Sequence, residues 1–467
     1  MRNRKVVFLV AFLAACLGTR LASAQPGASR PADARHVPSA AVDQLLDGSD
    51  WRMGSFDFDA GLKAGAQSEA FNESAFSTVT VPGDTQLQAG FTGGKQWFQT
   101  KELMAVNQKE WWYRRHFRAA PKAAASVTRL VFDGVDYFAT VWLKGQLLGT
   151  HEGTYTGFSF DVTDKLHYGA DNVLAVLVTH PFIPKGRGLL EYLVGDLTLI
   201  NSGMVAPLKN PPYFIAADWG GPGAGNAAFD MGIWQGVHLR TEAVVTVSDL
   251  HVETESIAAD GSANLRIAVT LSNAGAEAAA KTVTLKLKPE NFDGPARDLA
   301  PLTLTAAPGQ TKATAEVHLP QARLWWSWDH GSQNLYKLEA AVPGEKAARG
   351  DQRSIVFGIR TISRDPDMAY RLNGRKIFVK ASWLSMAEYY RSTPTAESYE
   401  RDLRLFRDAN FNLVVNFTIV EKPEFYDLCD RLGILVVTEL PFSQFGPLQI
   451  LDKDSPRREP FLAQARL

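Results

Sequence analysis

Pro423-Glu424-Phe425-Tyr426-Asp427-Leu428-Cys429-Asp430-Arg431-Leu432-Gly433-Ile434-Leu435-Val436-Val437-Thr438-Glu439 changes period part-way along, and that change decides the architecture. Phe425, Leu428, Cys429 and Leu432 follow the i, i+3, i+4, i+7 spacing of a helix with one buried face. Pro423 suits a first helical position, and Gly433 suits the left-handed residue that stops a helix. Ile434 to Glu439 is then a short apolar strand. The same alternation stands upstream. Ile377 to Ala381 reads as a strand, and Thr393-Pro394 as the start of a helix with Pro at its first position. Tyr399, Leu403 and Phe406 mark that helix's buried side, and Leu413 to Phe417 reads as the next strand. A β-α-β-α-β run predicts a parallel sheet, here the opening of a (β/α)8 barrel over 363–467.

Before residue 363 the period is two. Val127 to Phe132, Ala139 to Leu143 and Asn172 to Val178 are strand-like, and Lys144-Gly145 is a tight turn. A long stretch of strands and turns predicts a jelly-roll sandwich over 42–243. Over 244–362, Leu265, Ile267, Val269 and Leu271 alternate with polar or small residues. Val283, Leu285 and Leu287 do the same, as do Tyr336, Leu338, Ala340 and Val342. This predicts an immunoglobulin-like β-sandwich without its disulfide, since Cys16 and Cys429 are the only cysteines. The expected fold is thus multidomain and mainly β, ending in the first β/α units of an incomplete TIM barrel.

Arg2, Arg4 and Lys5 precede an apolar run, Val6 to Ala15, that is too short to span a bilayer, and Ala22-Ser23-Ala24 offers a cleavage point. Residues 1–24 are expected to be a signal peptide, 25–41 a flexible leader, and the protein to be exported to periplasm or medium. Leu13-Ala14-Ala15-Cys16 also resembles a lipobox, but Leu17 is an unusual residue after a lipidated Cys, which favours cleavage after Ala24. No later stretch is apolar enough to span a membrane. The 49 Lys+Arg against 50 Asp+Glu give no reason to expect nucleic acid. The nine His show no metal-ligand spacing, so neither metal nor cofactor is expected; His151, His238 and His330 read as ordinary surface or core residues. Cys429 falls on the buried side of its helix and reads as an inert thiol.

Motifs appear in a telling order from Trp112 to Val436. They are Trp112-Tyr113-Arg114-Arg115-His116-Phe117, Phe132-Asp133-Gly134-Val135-Asp136, Ala139-Thr140-Val141-Trp142-Leu143, Phe160-Asp161-Val162-Thr163 and Gly232-Ile233-Trp234-Gln235-Gly236-Val237, followed by Phe357-Gly358-Ile359-Arg360, Leu372-Asn373-Gly374-Arg375 and Phe425 to Val436. Together they resemble glycoside hydrolase family 2. Asp218-Trp219-Gly220-Gly221-Pro222 is similar to a sugar-pocket loop of that family's β-mannosidase and exo-β-glucosaminidase branch.

The resemblance implies a retaining β-glycosidase whose partner is a terminal β-linked sugar. It implies that Asp218 and Trp219 bind that sugar, the carboxylate accepting from hydroxyls and the indole covering a ring face, with Trp383 beside them. Retaining hydrolysis needs two carboxyl groups roughly 5 Å apart. The family carries the acid/base after an Asn on barrel strand four and the nucleophile on strand seven. The expectation is that both lie beyond Leu467, because Phe461 to Arg466 resembles the helix just before strand four and no Asn-Glu pair follows Arg360. Glu439, Glu421, Glu424 and Glu388 stand near strand ends, but a supporting role is expected of them; Asp427 and Asp430 are expected on a solvated helix face. Three departures count against an ordinary β-mannosidase specificity: Ala381-Ser382-Trp383-Leu384-Ser385 replaces G-x-N-W-x-P, Val415-Asn416 lacks the family's Arg, and Lys144 replaces an Asn. A β-galactosidase or exo-β-glucosaminidase specificity, or a non-catalytic carbohydrate-binding protein, therefore stays open beside the enzyme reading.

Overall fold

The computed structural model describes residues 30–32, 42–91, 105–180, 231–344, 350–384, 390–416, 419–438, 458 and 462. The expected signal peptide and most of the leader lie outside the described residues.

Two sheets face each other in the first sandwich. One runs in the order 146–152, 138–143, 171–179, 110–118, 48–56, 77–81, and the other 30–32, 157–161, 126–132, 237–243, 42–45. Register sets Met53, Tyr113, Val176 and Val141 in one row across four strands, all buried against the second sheet's Leu130, Phe132, Phe158 and Leu239. The strand Glu110–Arg118 departs from simple alternation: Glu110 to Arg114 are all buried. Its outer face is roofed by the segment before residue 77, where Trp112 stacks on Trp142 at 5.1 Å and packs with Ala66 and Phe76. Glu110 closes that roof, accepting from the backbone of Gly61 at 2.6 Å and Asp59 at 2.9 Å and from the Trp112 indole at 3.0 Å. Lys144 and Gly145 both take positive φ (51° and 74°), as the expected two-residue turn requires.

His238 is not an ordinary residue of this sandwich. Its Nε2 lies 2.7 Å from Asp133 and its Nδ1 3.1 Å from Asp43, tying a turn and an edge strand to the strand Val237–Ala243. Burial works against its charge, yet the hydrogen bonds and charges of Asp133 and Asp43 prevail and raise it to about 9.

The second sandwich pairs 245–257, 263–273 and 309–319 against 297–306, 279–289, 336–342 and 351–357. The alternating residues singled out from sequence form its core: Leu265 to Leu271 against Val283, Leu285, Leu287, Leu338 and Ala340. Cys429, the described cysteine, is free and buried, which pushes its thiol up.

After a three-stranded antiparallel ribbon (362–364, 370–372, 375–377) come three parallel strands, Ala381–Leu384, Leu413–Asn416 and Leu435–Thr438. The first helix, Ala396–Asp408, and the second, Pro423–Leu432, lie between them in sequence and pack together through Tyr399, Leu403, Phe425 and Cys429. Two details differ from the sequence expectation. Ile377 ends the ribbon and the parallel strand begins only at Ala381, because Asn412 takes the intervening backbone: it accepts from Lys380 N and donates to Phe378 O, both at 2.9 Å. The first helix is capped by Thr395 in a box with Ser398, not at Thr393-Pro394, since Thr395 offers the oxygen that the Ser398 N–H needs. The second helix begins at Pro423 and ends on Gly433 at φ 76°, as read.

The aromatic loop of the second sandwich grips the N-terminal side of this parallel unit. Trp325 Nε1 donates to Asp430 O at 2.7 Å, Trp328 Nε1 to Phe411 O at 2.8 Å, and Trp328 N to Gly433 O at 2.9 Å. Asp329 accepts from Asn412 Nδ2 at 2.9 Å and from Lys380 at 3.2 Å, and four hydrogen-bond donors hold it low against the cost of burial. Asp430, expected to be solvated, pairs with Arg360 at 3.1 Å because this loop brings the two domains together.

Two outcomes follow. Gly433→Ala should cost about 1–3 kcal/mol in chemical denaturation, since its Cβ would meet Trp328 N at 2.6 Å as well as the positive φ. The His238 contribution is complete below the ordinary value of 6.5 and lost as pH rises to about 9. Thermal midpoints between pH 6 and 9.5 should fall for the parent chain, and less steeply for His238→Gln.

Candidate functional site

Parallel pairing aligns Leu384, Asn416 and Thr438 at the C-terminal ends of the three strands. Loops leaving such ends carry the chemistry in parallel α/β folds, because the strands hold them rigidly while their side chains stay accessible. One residue back, Trp383, Val415 and Val437 form a row on the face away from the two helices. Trp383 is 64% exposed and Val437 45%, so this row sets an indole on an apolar stripe. Of the residues expected to bind sugar, Trp383 is described; Asp218 and Trp219 lie outside the described residues, as do Glu388 and Glu439.

The jelly-roll sandwich reaches this end of the parallel unit through a small third sheet, 83–84, 232–233 and 135–136. Gly232 pairs with Asp84 on one side and Asp136 on the other, which places both carboxylates on one face of the sheet. Gly232 has no room for a side chain: a Cβ would meet Gly83 O at 2.7 Å. Asp84 Oδ2 accepts from Ser392 N at 2.9 Å and Ser392 Oγ at 2.5 Å, and Asp84 N donates back to Ser392 Oγ at 3.3 Å. Tyr390 OH donates to Phe91 O at 2.9 Å. Arg391 lies between, its Nε 3.9 Å from Asp136 and its guanidinium 4.9 Å from the Tyr155 ring centre. Asp136 also accepts from Thr154 Oγ1 at 3.1 Å.

Glu421, in the loop after the second strand, is the strand-end carboxylate with a worked environment. Its Oε2 accepts from Tyr399 OH at 2.7 Å and its Oε1 is sealed from solvent. Burial raises it above the usual carboxylate range, while Tyr399, Arg391 and Lys422 pull the other way. Lys422 is pulled down by burial and donates to Ser392 O at 2.9 Å and Pro394 O at 2.8 Å. Glu424 is exposed. Asn416 is fully buried on the helix side, near Tyr426. Sequence reasoning missed Asp84, Asp136, Arg391 and Ser392 as a set. The available signal was Asp136 within the largely apolar run Val131 to Phe138, where a carboxylate has no reason to stand without a partner.

Two family models match in sequence order: "Glycosyl hydrolase 2 galactose-binding domain-like" over residues 67–235 and "Glycosyl hydrolases family 2" over 245–360. The chain belongs to glycoside hydrolase family 2. This family 2 chain is 27% identical over 382 residues to Beta-mannosidase B of Emericella nidulans, covering 78% of the chain and 43% of that protein. It is 28% identical over 370 residues to Exo-beta-D-glucosaminidase of Streptomyces avermitilis, covering 76% and 37%. The solved Beta-D-Mannosidase from Dictyoglomus thermophilum superposes with a TM-score of 0.70 at 21% identity, covering 91% of this chain and 51% of that one. That superposition shows a shared fold. The chain spans less than half the length of either curated relative.

Ser392→Ala removes one donor to Asp84 and the acceptor for Asp84 N. It should cost the family 2 chain about 1–3 kcal/mol in urea denaturation; a loss under 0.5 kcal/mol, roughly that of an ordinary surface change, would show the contact to be incidental.

Proposed function

We propose that this chain is the N-terminal part of an exported, retaining β-glycosidase of the β-mannosidase-like branch, with its sugar site over the C-terminal ends of the parallel strands. The observation that carries the reading is the row Trp383–Val415–Val437. An exposed indole on the face of a parallel unit away from its helices has the place of a barrel-lining residue, and its ring can cover the apolar face of a sugar. The two sandwiches stand around it as supports, one at each end of the strands, and the Asp218-Trp219 loop would supply hydroxyl contacts. Neither carboxylate of the retaining pair is assigned to a residue of this chain. Glu421 is a poor candidate, since its Oε2 is engaged by Tyr399 and a lone carboxyl cannot run a two-carboxylate mechanism.

A panel of 4-nitrophenyl β-mannoside, β-glucosaminide and β-galactoside tests this. The purified chain should bind one of these weakly, measured by tryptophan fluorescence, with Trp383→Ala weakening binding about tenfold, the equivalent of one lost stacking contact. It should release no nitrophenol. Turnover lost in Glu421→Gln would overturn the assignment of that residue, and absence of binding to any of the three would remove the sugar reading of this face.

A further inference from the structure

Neighbours along a strand turn to opposite faces of a sheet, so the residue after Val415 points away from the Trp383 row and toward the two helices. That residue is Asn416, and it is fully buried. Among the described residues, neither its Oδ1 nor its Nδ2 has a hydrogen-bond partner. A buried amide left this way is costly, and its two ends ask for opposite things, a donor for the oxygen and an acceptor for the nitrogen. The groups beside it are hydroxyls. Parallel register sets Thr438 directly opposite Asn416 on the next strand. Tyr426 reaches over from the second helix, its hydroxyl 3.4 Å from Thr438 Oγ1, long beside the ~2.8 Å usual for two hydroxyls. The same hydroxyl accepts from Glu421 N at 3.3 Å, and the Asn416 amide faces it without bonding it.

We propose that Asn416, Thr438 and Tyr426 form a binding site for ordered water, between the ends of the second and third parallel strands and the second helix. Adjacent strands stand about 4.8 Å apart, a gap that one water spans with two ordinary hydrogen bonds. Water donates to Oδ1 at one end of the amide or accepts from Nδ2 at the other, and its remaining positions reach the two hydroxyls; a buried water typically makes about three such bonds. A cation would meet the Nδ2 hydrogens and an anion would meet Oδ1, so neither suits both ends. The site is separate from the proposed sugar face, because the sheet itself lies between Asn416 and the Trp383 row. It ties Asn416 and Thr438, the last residues of their strands, to the helix packed beneath them. The loop carrying Glu421 hangs from the same Tyr426 hydroxyl.

Thermal unfolding of the whole chain and a crystal structure of the parent test this. Asn416→Leu keeps the shape of the side chain and removes both polar ends. Where water is held, the substitution expels it and strands its hydroxyl partners, and the midpoint should fall by about 5 °C. An amide that is simply unanswered would be better replaced by an apolar group of its own shape, so an unchanged or raised midpoint in Asn416→Leu would overturn the proposal. Thr438→Val should also lower the midpoint. The double variant should lose less than the two single losses combined, because both side chains act on the same water; strictly additive losses would mean that none is shared, which the proposal does not survive. At a resolution that shows bound solvent, the parent structure should place a peak within ~3.2 Å of Asn416 Oδ1 or Nδ2 and of Thr438 Oγ1 or Tyr426 OH. An amide bonded directly to protein groups, with no solvent between, would sink the idea, and this measurement decides the matter should Asn416→Leu fail to fold. No sugar enters either experiment, so neither result depends on whether the Trp383 face binds one.

Discussion

A carboxylate taken out of water must be given hydrogen-bond donors, and in this molecule the donors come from another part of the chain. Glu110 holds the outer roof of the jelly-roll sandwich through Asp59, Gly61 and Trp112. Asp329 of the second sandwich is held by Asn412 and Lys380 of the parallel unit, and Asp84 of the first by Ser392. The donors of Glu110 lie within its own sandwich, whereas Asp329 and Asp84 draw donors from the parallel unit. Each therefore acts as a docking requirement: the partner segment must be in place before the carboxylate can leave solvent.

The geometry that follows is a parallel unit held at both ends. The aromatic loop of residues 325–329 grips the side where strands begin, through backbone carbonyls of Phe411, Asp430 and Gly433. The small sheet carrying Asp84 and Asp136 grips the side where strands end. Directional hydrogen bonds do here what apolar burial alone would not. Burial is indifferent to small rotations, while a 2.7 Å indole bond and a carboxylate with two donors are not. The row of Trp383, Val415 and Val437 lies between the two grips, on the face away from the two helices.

Much of this was legible in the linear chain. Period-two runs located the cores of both sandwiches, residue by residue for Leu265 to Leu271 and Tyr336 to Val342, because a strand buried on one face leaves no choice of which side chains turn inward. The helix from Pro423 to Gly433 was readable end to end, since a proline start and a left-handed glycine stop are local backbone facts. The ordered motifs from Trp112 to Val436 carried the family, which the matched domains at 67–235 and 245–360 bear out.

Other features depended on partners distant in the chain. Asp430 looked like a solvated helix residue and is a domain contact, and His238 looked ordinary and is doubly ion-paired. The cap moved to Thr395 because one hydroxyl reaches the Ser398 N–H. The strand start moved to Ala381 because a side chain more than thirty positions away in the chain, Asn412, took the backbone of 378–380. By itself the sequence determined which segments are strands, which are helices, which faces are apolar and what family they compose, because these rest on periodicity and on the conformational limits of glycine and proline. Only the tertiary structure decided which partners the buried carboxylates meet, Asp84 with Ser392 and Asp136 with Arg391, because a charge's environment is made by residues brought close by folding and leaves no local pattern in the chain.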